Sequence, residues 1–382
     1  MTVITVLRSF DELETIKDDW DRLQRLESRY FPDFCGLANQ VSAGATQFLV
    51  FSVRTDNVVT CLACFIQEAS RKSFTVGERR LFSLPVREAR LFGSGVLGAF
   101  DAALFAKFVG IAMRDFSFHL MTFGEVSIDH ELHRAIEELR GQFLVTRPAR
   151  KDAVRWLIKL PPTFDEYLLS LSSKSRQNLK REIRKFETEF KQELRLVTRP
   201  DQVDEFLRDG ESVSRLTYQW NVGQRLSNDE PTRLRYVARA KRGQLRAHML
   251  YVDGRPCAFS RGELVGSVFQ YETPGYDPQH AKASPGTVLL AWVIKDLIEN
   301  TDCETFDFGS GGDEVGYKSR FGNVSTPSRE LQLANRFNPY ALLIILLQES
   351  LTVLKNITSR LVGEGQLRLR LRKAFRKYGA RS

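Results

Sequence analysis

Leu245-Arg-Ala-His-Met-Leu-Tyr-Val-Asp-Gly-Arg-Pro-Cys-Ala-Phe-Ser-Arg-Gly-Glu-Leu264 opens the stretch on which the fold turns, and Ser267-Val-Phe-Gln-Tyr271, Ser284-Pro-Gly-Thr287 and Thr305-Phe-Asp-Phe308 follow it in order. Leu245–Val252 and Pro256–Leu264 are β-forming runs on either side of Asp253-Gly254, a two-residue turn signal, so they predict a hairpin. Ser267–Tyr271 predicts a third strand. Thr287–Glu299 is strongly apolar and predicts a helix, with Ser284 as its cap and Pro285 at its first position. Thr305–Phe308 predicts another strand, followed by the loop Gly309-Ser-Gly-Gly-Asp-Glu314. Three strands, a loop, a helix and a strand make an α/β unit.

Working outward, Ala153–Lys159 predicts a strand. Phe164–Ser170, Lys174–Phe190 and Gln202–Trp220 predict helices, the second through Leu179, Ile183, Phe186 and Phe190. The first half has the same order. Residues 3–8 alternate as a strand, and Phe10–Ser28 follow a helical period. Phe48–Arg54 and Val58–Gln67 form a hairpin at Thr55-Asp56-Asn57. Arg90–Gly95 (strand), Ala99–Arg114 (helix), Leu120–Phe123 (strand) and His130–Arg140 (helix) complete it. Two similar α/β units in tandem are expected, over 1–150 and 151–337, with mixed sheets flanked by helices and a join near Pro148–Lys151. Residues 338–382 form an extension, with a helical stripe at Leu342, Ile345, Leu351, Leu354, Ile357 and Leu361 that is docked or dimeric.

The chain has 382 residues and a formal charge of +9, with 42% apolar and 27% charged residues. Such usage disfavours wholesale disorder and coiled coil. The charge is concentrated. Lys174, Arg176, Lys180, Arg181, Arg184 and Lys185 stand against one Glu182, a local +5; Arg368, Arg370, Arg372, Lys373, Arg376, Lys377 and Arg381 add +7, which leaves −3 for the rest. A chain coated in nucleic-acid-binding charge is therefore not expected, while two local anion-attracting patches are. No secretory leader is recognised at the start, and the densest apolar run, 341–347, is far too short to span a bilayer. Five Cys make no disulfide framework. Cys61-Leu-Ala-Cys64 lies in an apolar run with no second Cys or His pair near it, so core packing is expected and no metal. The expected compartment is a reducing cytoplasm.

A helix N-terminus presents unpaired N–H groups and a partial positive charge, which suit a pyrophosphate. At Ser284–Thr287, Gly286 admits close approach and Lys282 adds a nearby cation. By itself the loop reads more readily as an ordinary helix cap than as a phosphate site.

The ordered series of segments resembles the GNAT acyltransferase superfamily. It is most similar to the bacterial CelD/BcsL, or "cellulose biosynthesis", acetyltransferases, which share a tandem GNAT architecture with FemABX-type transferases. The matching stretches are Leu171 to Phe186, Thr217-Tyr-Gln-Trp220, 243–259, Tyr276-Asp-Pro278, Ser284-Pro-Gly-Thr287, Phe306-Asp-Phe-Gly309 and Asp313 through Tyr317-Lys-Ser-Arg-Phe321. Coverage is strong over 150–330 and diffuse over 1–150. The resemblance implies acyl transfer from acetyl-CoA or another acyl-CoA to an amine, such as an amino sugar or glycan precursor. The pantetheine would lie where Phe269, Gln270 and Tyr271 splay from Thr305–Phe308, and the pyrophosphate at Lys282, Ser284, Pro285, Gly286 and Thr287. The family's Q/R-x-x-G-x-G/A loop is not matched. Gln279-His-Ala-Lys282-Ala-Ser284 has Lys and Ser where small glycines belong, which leaves room for another donor.

An attacking amine must lose a proton and a leaving thiolate must gain one. Asp313 and its rival Glu272 are the candidate bases, and Tyr317 the candidate acid; Glu314 ranks below them. Lys174, Arg176, Asn178, Tyr218, Trp220 and Lys318 are candidate acceptor-binding residues, each with a plain surface or core role as the alternative. His248 reads as a strand residue. The first unit's Gly93-Ser-Gly95 has no matching Ser-Pro-Gly-Thr, so no CoA is expected there. Two rival functions remain: an aminoacyl-tRNA-dependent transferase that turns Lys174–Lys185 to RNA, and a non-enzymatic scaffold for envelope polysaccharide assembly. In either case the basic tail is a candidate for peripheral contact with an anionic membrane.

Overall fold

A computed structural model describes residues 2–26, 37, 47–76, 79–93, 96–148, 152–217, 220, 225–272, 274–310 and 316–361. The first half runs β1 (Thr2–Leu7), α1 (Phe10–Glu14), α2 (Lys17–Arg25), β2 (Gln47–Thr55), β3 (Val58–Val76), β4 (Arg79–Leu91), β5 (Leu97–Gly98), α3 (Ala102–Asp115), β6 (Leu120–Ser127), α4 (Glu131–Glu138) and β7 (Leu144–Thr146). The second runs β8 (Ala153–Lys159), α5 (Phe164–Ser170), α6 (Ser173–Glu189), β9 (Gln192–Val197), α7 (Val203–Ser214), α8 (Glu230–Lys241), β10 (Ala247–Val252), β11 (Arg255–Ser260), β12 (Gly262–Val265), β13 (Val268–Tyr271) and β14 (Gly275–Tyr276). It ends with α9 (Pro285–Asn300), β15 (Thr305–Ser310), α10 (Tyr317–Phe321), β16 (Val324–Ala334) and α11 (Pro339–Leu361).

The two halves repeat one device. Adjacent parallel strands need a crossover connection, and each half supplies a helix for it. β4 pairs parallel with β6 across α3, with Glu88 opposite Leu120; β13 pairs parallel with β15 across α9, with Val268 opposite Thr305. The chain is thus a mixed α/β protein. Its large sheet has the order β1-β2-β3-β4-β6-β16-β8-β15-β13-β12, and β14-β11-β10-β9 form a second sheet. β16 joins the halves by pairing with β6 on one side and β8 on the other. One face of the first half packs α3 and α4 around Phe105, Phe108, Phe123 and Ile136. In the second half α5, α6 and α9 cover Phe269, Tyr271, Phe306 and Phe308, and α7 and α8 cover the opposite face of the smaller sheet.

The expected hairpins form. Asp253 and Gly254 have φ of 50° and 77°, and Asp56 and Asn57 have 51° and 67°, the left-handed pairs that two-residue turns need. Several boundaries differ from expectation. Val58–Gln67 extends to Val76 and pairs with β4, so residues 79–91 are strand where only 90–95 was expected. The helix expected over Phe10–Ser28 breaks at Thr15-Ile16, and that over Gln202–Trp220 ends at Ser214. Pro256–Leu264 is two strands, because Arg261 interrupts it and the chain changes sheets there. Cys61 and Cys64 are three apart in a strand and point to opposite faces. Cys61 joins the core under α3 and Cys64 the one under α1 and α2. They cannot share a metal or a disulfide, and burial pushes the Cys61 thiol up to about 12.

Because β16 belongs to the hydrogen-bond ladders of both halves, they should unfold together. Leu333 is fully buried on β16. Leu333→Ala is expected to cost about 2–5 kcal/mol and to lower a single calorimetric transition; two separated transitions would contradict this coupling.

Candidate active site

The geometry of the site follows from one break. β13 pairs with β15 only from Val268 to Gln270, opposite Thr305 to Asp307. Beyond Tyr271 the chain leaves β15 and continues as β14, which pairs with β11 in the other sheet, Tyr276 opposite Ala258. The preceding strand splits at the same level: β12 pairs with β13, and β11 with β14. A backbone bond of 3.0 Å from the Glu272 N–H to the Arg261 carbonyl ties the two breaks together. The result is a fork between β14 and β15, with the end of β13 at Tyr271 and the short β14 at Gly275–Tyr276 on one side of it. Phe269, Gln270 and Tyr271 form its base.

α9 must return from β14 to the start of β15, so its N-terminus lies on the edge where the fork opens. A turn of 3-10 helix over Pro278–Ala283 leads to it. Ser284 was expected to cap α9 with its side chain, and here the structure corrects the sequence reading. Ser284 adopts φ 54°, ψ 47° and makes no side-chain cap bond. Its carbonyl accepts from the Thr287 and Val288 amides at 3.0 and 3.1 Å. A non-glycine residue in this left-handed region carries strain of order 1–3 kcal/mol. Pro285 has no N–H to offer, and the Gly286 amide points out of the helix end. Gly286 lies against Tyr276; a Cβ there would come within 3.2 Å of its ring. Lys282 is exposed beside it.

Tyr317 opens α10 on the same edge. It is 44% exposed, its ring packs on Phe308 at 6.0 Å, and Phe308 in turn meets Tyr271 at 5.8 Å. Lys318 donates to the carbonyls of Phe308 and Gly309 at 2.9 and 3.5 Å, joining the two ends of the segment that carries Asp313. Asp313, Glu314 and Tyr218 lie outside the described residues. Asp307 accepts from the Gly309 amide at 2.8 Å and is held by Arg155 of β8 through a two-pronged ion pair.

Glu272 stands at the fork itself. Arg239 donates to it at 2.6 Å and Arg261 lies 3.3 Å away; Arg239 also reaches Glu263 at 3.0 Å. Burial works against the charged form, but the Arg239 and Arg261 charges outweigh it and hold the carboxyl at about 2. A carboxylate so stabilised is a weak proton acceptor near neutral pH, and its evident work is to neutralise two guanidiniums. Sequence reasoning placed Glu272 and missed Arg239 and Arg261. The available signal was Arg261 and Glu263 inside an apolar strand run, since buried charges are paired.

The remaining candidates are spread out. α6 touches the fork's rim with its C-terminal end, where Phe190 packs on His280 at 5.7 Å and Phe186 on Trp292 at 6.1 Å. Its middle meets α10 through the Glu182–Arg320 ion pair at 2.8 Å, and Lys174, Arg176 and Asn178 lie on its first two turns, about 6–12 Å along the axis from Glu182. Arg176 donates to the Leu169 carbonyl at 3.4 Å. Trp220 is half-buried, with the Arg215 and Arg225 guanidiniums 4.6 and 5.3 Å from its ring centre. His248 is buried in β10, 2.9 Å from Asp296 of α9, and burial pushes its pKa down.

Residues 173–319 match the family model described as an acetyltransferase (GNAT) domain, and with it the acyltransferase class. No curated protein matches the chain. The fold is shared with solved structures at low identity. FemX superposes with a TM-score of 0.59 at 10% identity, covering 86% of this chain and 96% of that one. A conserved protein of unknown function from Bacteroides thetaiotaomicron gives 0.53 at 17%, covering 84% and 97%. L-PGS from Bacillus licheniformis gives 0.52 at 14%, covering 88% and 96%.

Glu272→Gln tests the fork. It leaves Arg239 and Arg261 short of one charge, and is expected to cost about 3 kcal/mol at pH 7. The folded carboxyl titrates at about 2 against an ordinary 4.5. Its stabilisation is therefore full above 4.5 and disappears as pH falls towards 2. Urea titrations of both proteins should converge across that window; a constant difference would contradict the assignment.

Proposed function

We propose that the second unit transfers an acyl group from an acyl-CoA, acetyl-CoA being the simplest, to an amine on a small-molecule or glycan-precursor acceptor. The observation that carries this is the fork beside an uncapped helix end. The backbone at the end of β13 and along β14 (Gly275–Tyr276) is the edge assigned to the amides of a pantetheine. The α9 N-terminus offers the Gly286 amide and a partial positive charge to a pyrophosphate, with Lys282 alongside. The first unit supplies the contrast. Its crossover helix α3 is capped by Asp101, whose carboxylate accepts from the Leu104 amide at 2.7 Å. A carboxylate seated there repels a phosphate, so the second unit is the better donor site.

In the reaction the amine nitrogen attacks the thioester carbonyl, the C–N bond forms, the C–S bond breaks, and the thiolate leaves. Tyr317 stands at the fork's mouth and is the acid assigned to that sulfur. The amine's proton goes to a carboxylate of the adjoining loop, with Asp313 the candidate, because Glu272 is engaged by arginines. Lys318 positions this loop by holding its two ends. CelD/BcsL-type specificity and an amino-sugar acceptor rest on the sequence resemblance.

A second reading, transfer of an aminoacyl group from tRNA, is favoured by the exposed Lys174, Lys180, Arg181, Arg184 and Lys185 on one side of α6. Phosphate contacts of that kind give a steep salt dependence.

Calorimetry with acetyl-CoA separates the two. Binding is expected in the wild type. Gly286→Leu, which drives a side chain into Tyr276 and over the helix end, should weaken it at least about tenfold while the fold survives. No binding of any CoA thioester, with salt-sensitive binding of tRNA, would replace the first reading by the second.

A further inference from the structure

We infer that the exposed face of α11 docks on an anionic lipid bilayer, with the basic sequence that follows it adding electrostatic attraction. α11 has two apolar faces and the protein covers one. Ala341, Ile344 and Ile345 are buried against Phe74, Val86 and Leu120 of the first unit, and Tyr340 donates to the Pro85 carbonyl at 2.8 Å. On the opposite side Leu342, Leu343, Leu346 and Val353 are exposed, and Phe337, just before the helix, is 84% exposed. A helix apolar all round is normally covered all round, and a contiguous exposed apolar patch marks an interaction surface.

Charge selects the occupant. A cavity of about 290 Å³ opens beside Leu342, lined by Phe143, Leu144 and Val145 with Arg140 and Arg336 at its walls. Arg140 is already paired with Glu137, and Arg336, which donates to the Arg140 carbonyl at 2.8 Å, is the guanidinium offered to a lipid phosphate there. Directly after α11 the sequence continues through 362–382, where seven Lys and Arg stand against Glu364 alone and alternate with Leu367, Leu369, Leu371 and Phe375. Each basic residue near an anionic bilayer contributes attraction, and apolar side chains fix depth. A second copy of this chain would bring the same positive charge against itself, which disfavours a dimer. No helix among the described residues is long and apolar enough to cross a membrane, so contact is peripheral.

The test is vesicle flotation of the full chain. Vesicles of phosphatidylcholine mixed with phosphatidylglycerol should carry the protein, and pure phosphatidylcholine should carry at least about tenfold less. Leu343→Glu with Leu346→Glu, at positions already open to solvent, should abolish flotation with an unchanged circular dichroism spectrum. Arg370→Glu with Arg372→Glu should weaken it and reduce its salt sensitivity. Three results would overturn the proposal: no flotation on anionic vesicles, flotation indifferent to Leu343 and Leu346, or a concentration-dependent dimer that the leucine variants dissolve while vesicles bind nothing.

Discussion

The ion cluster at the fork is the constraint on which the rest depends. Two adjacent strands leave one sheet for another at the same level, and the charged side chains at the break, Arg261 and Glu272, face each other across it. Buried guanidiniums are tolerated only with carboxylates beside them. Arg239 and Arg261 find theirs in Glu263 and Glu272. Below the break β13 and β15 are paired; above it they diverge. The crossover between parallel strands then requires α9 to begin on the diverging edge. An open strand edge and a helix N-terminus are brought together by topology.

The two halves show what separates a frame from a site. Both have a parallel pair with a crossover helix. In the first half Asp101 satisfies the helix end, and a carboxylate there is favoured by about 0.3–1 kcal/mol. In the second half Ser284 is turned into a strained conformation and its hydroxyl makes no cap, which leaves the end available. The first half has instead lengthened its hairpin, and α11 rests on it. That division gives one half a candidate reaction centre and the other a surface.

Much of this arrangement was legible in the residues. Asp253-Gly254 marks its hairpin because two consecutive positive φ angles suit few other pairs. The apolar run after Pro285 marks α9, and the matching order of elements in the two halves marks the tandem. What escaped depends on distant partners. Arg261 does not announce a change of sheet, because its cause is Glu272 and Arg239. β16 has a polar first half that pairs across the join, and no local pattern shows which strands it meets. α8 was missed although Asp229 caps it, accepting from the Thr232 amide at 2.9 Å. Of the candidate residues, Tyr317 reaches Tyr271 through Phe308, Lys318 donates to the Phe308 and Gly309 carbonyls, and Gly286 lies against Tyr276. Lys174, Arg176 and Asn178 share a helix with Glu182, which pairs with Arg320 of α10, and with the turn before Phe190, which packs on His280. Helical periodicity reports a face and not which end meets the site.

Amide hydrogen exchange with and without acetyl-CoA locates the donor site. Slowed exchange is expected only in two stretches, Tyr271–Tyr276 and Gly286–Val288, with no change at Ala102–Phe105 in the first half. Unchanged exchange at Gly286–Val288 under saturating acetyl-CoA, or protection at the start of α3 instead, would contradict this placement.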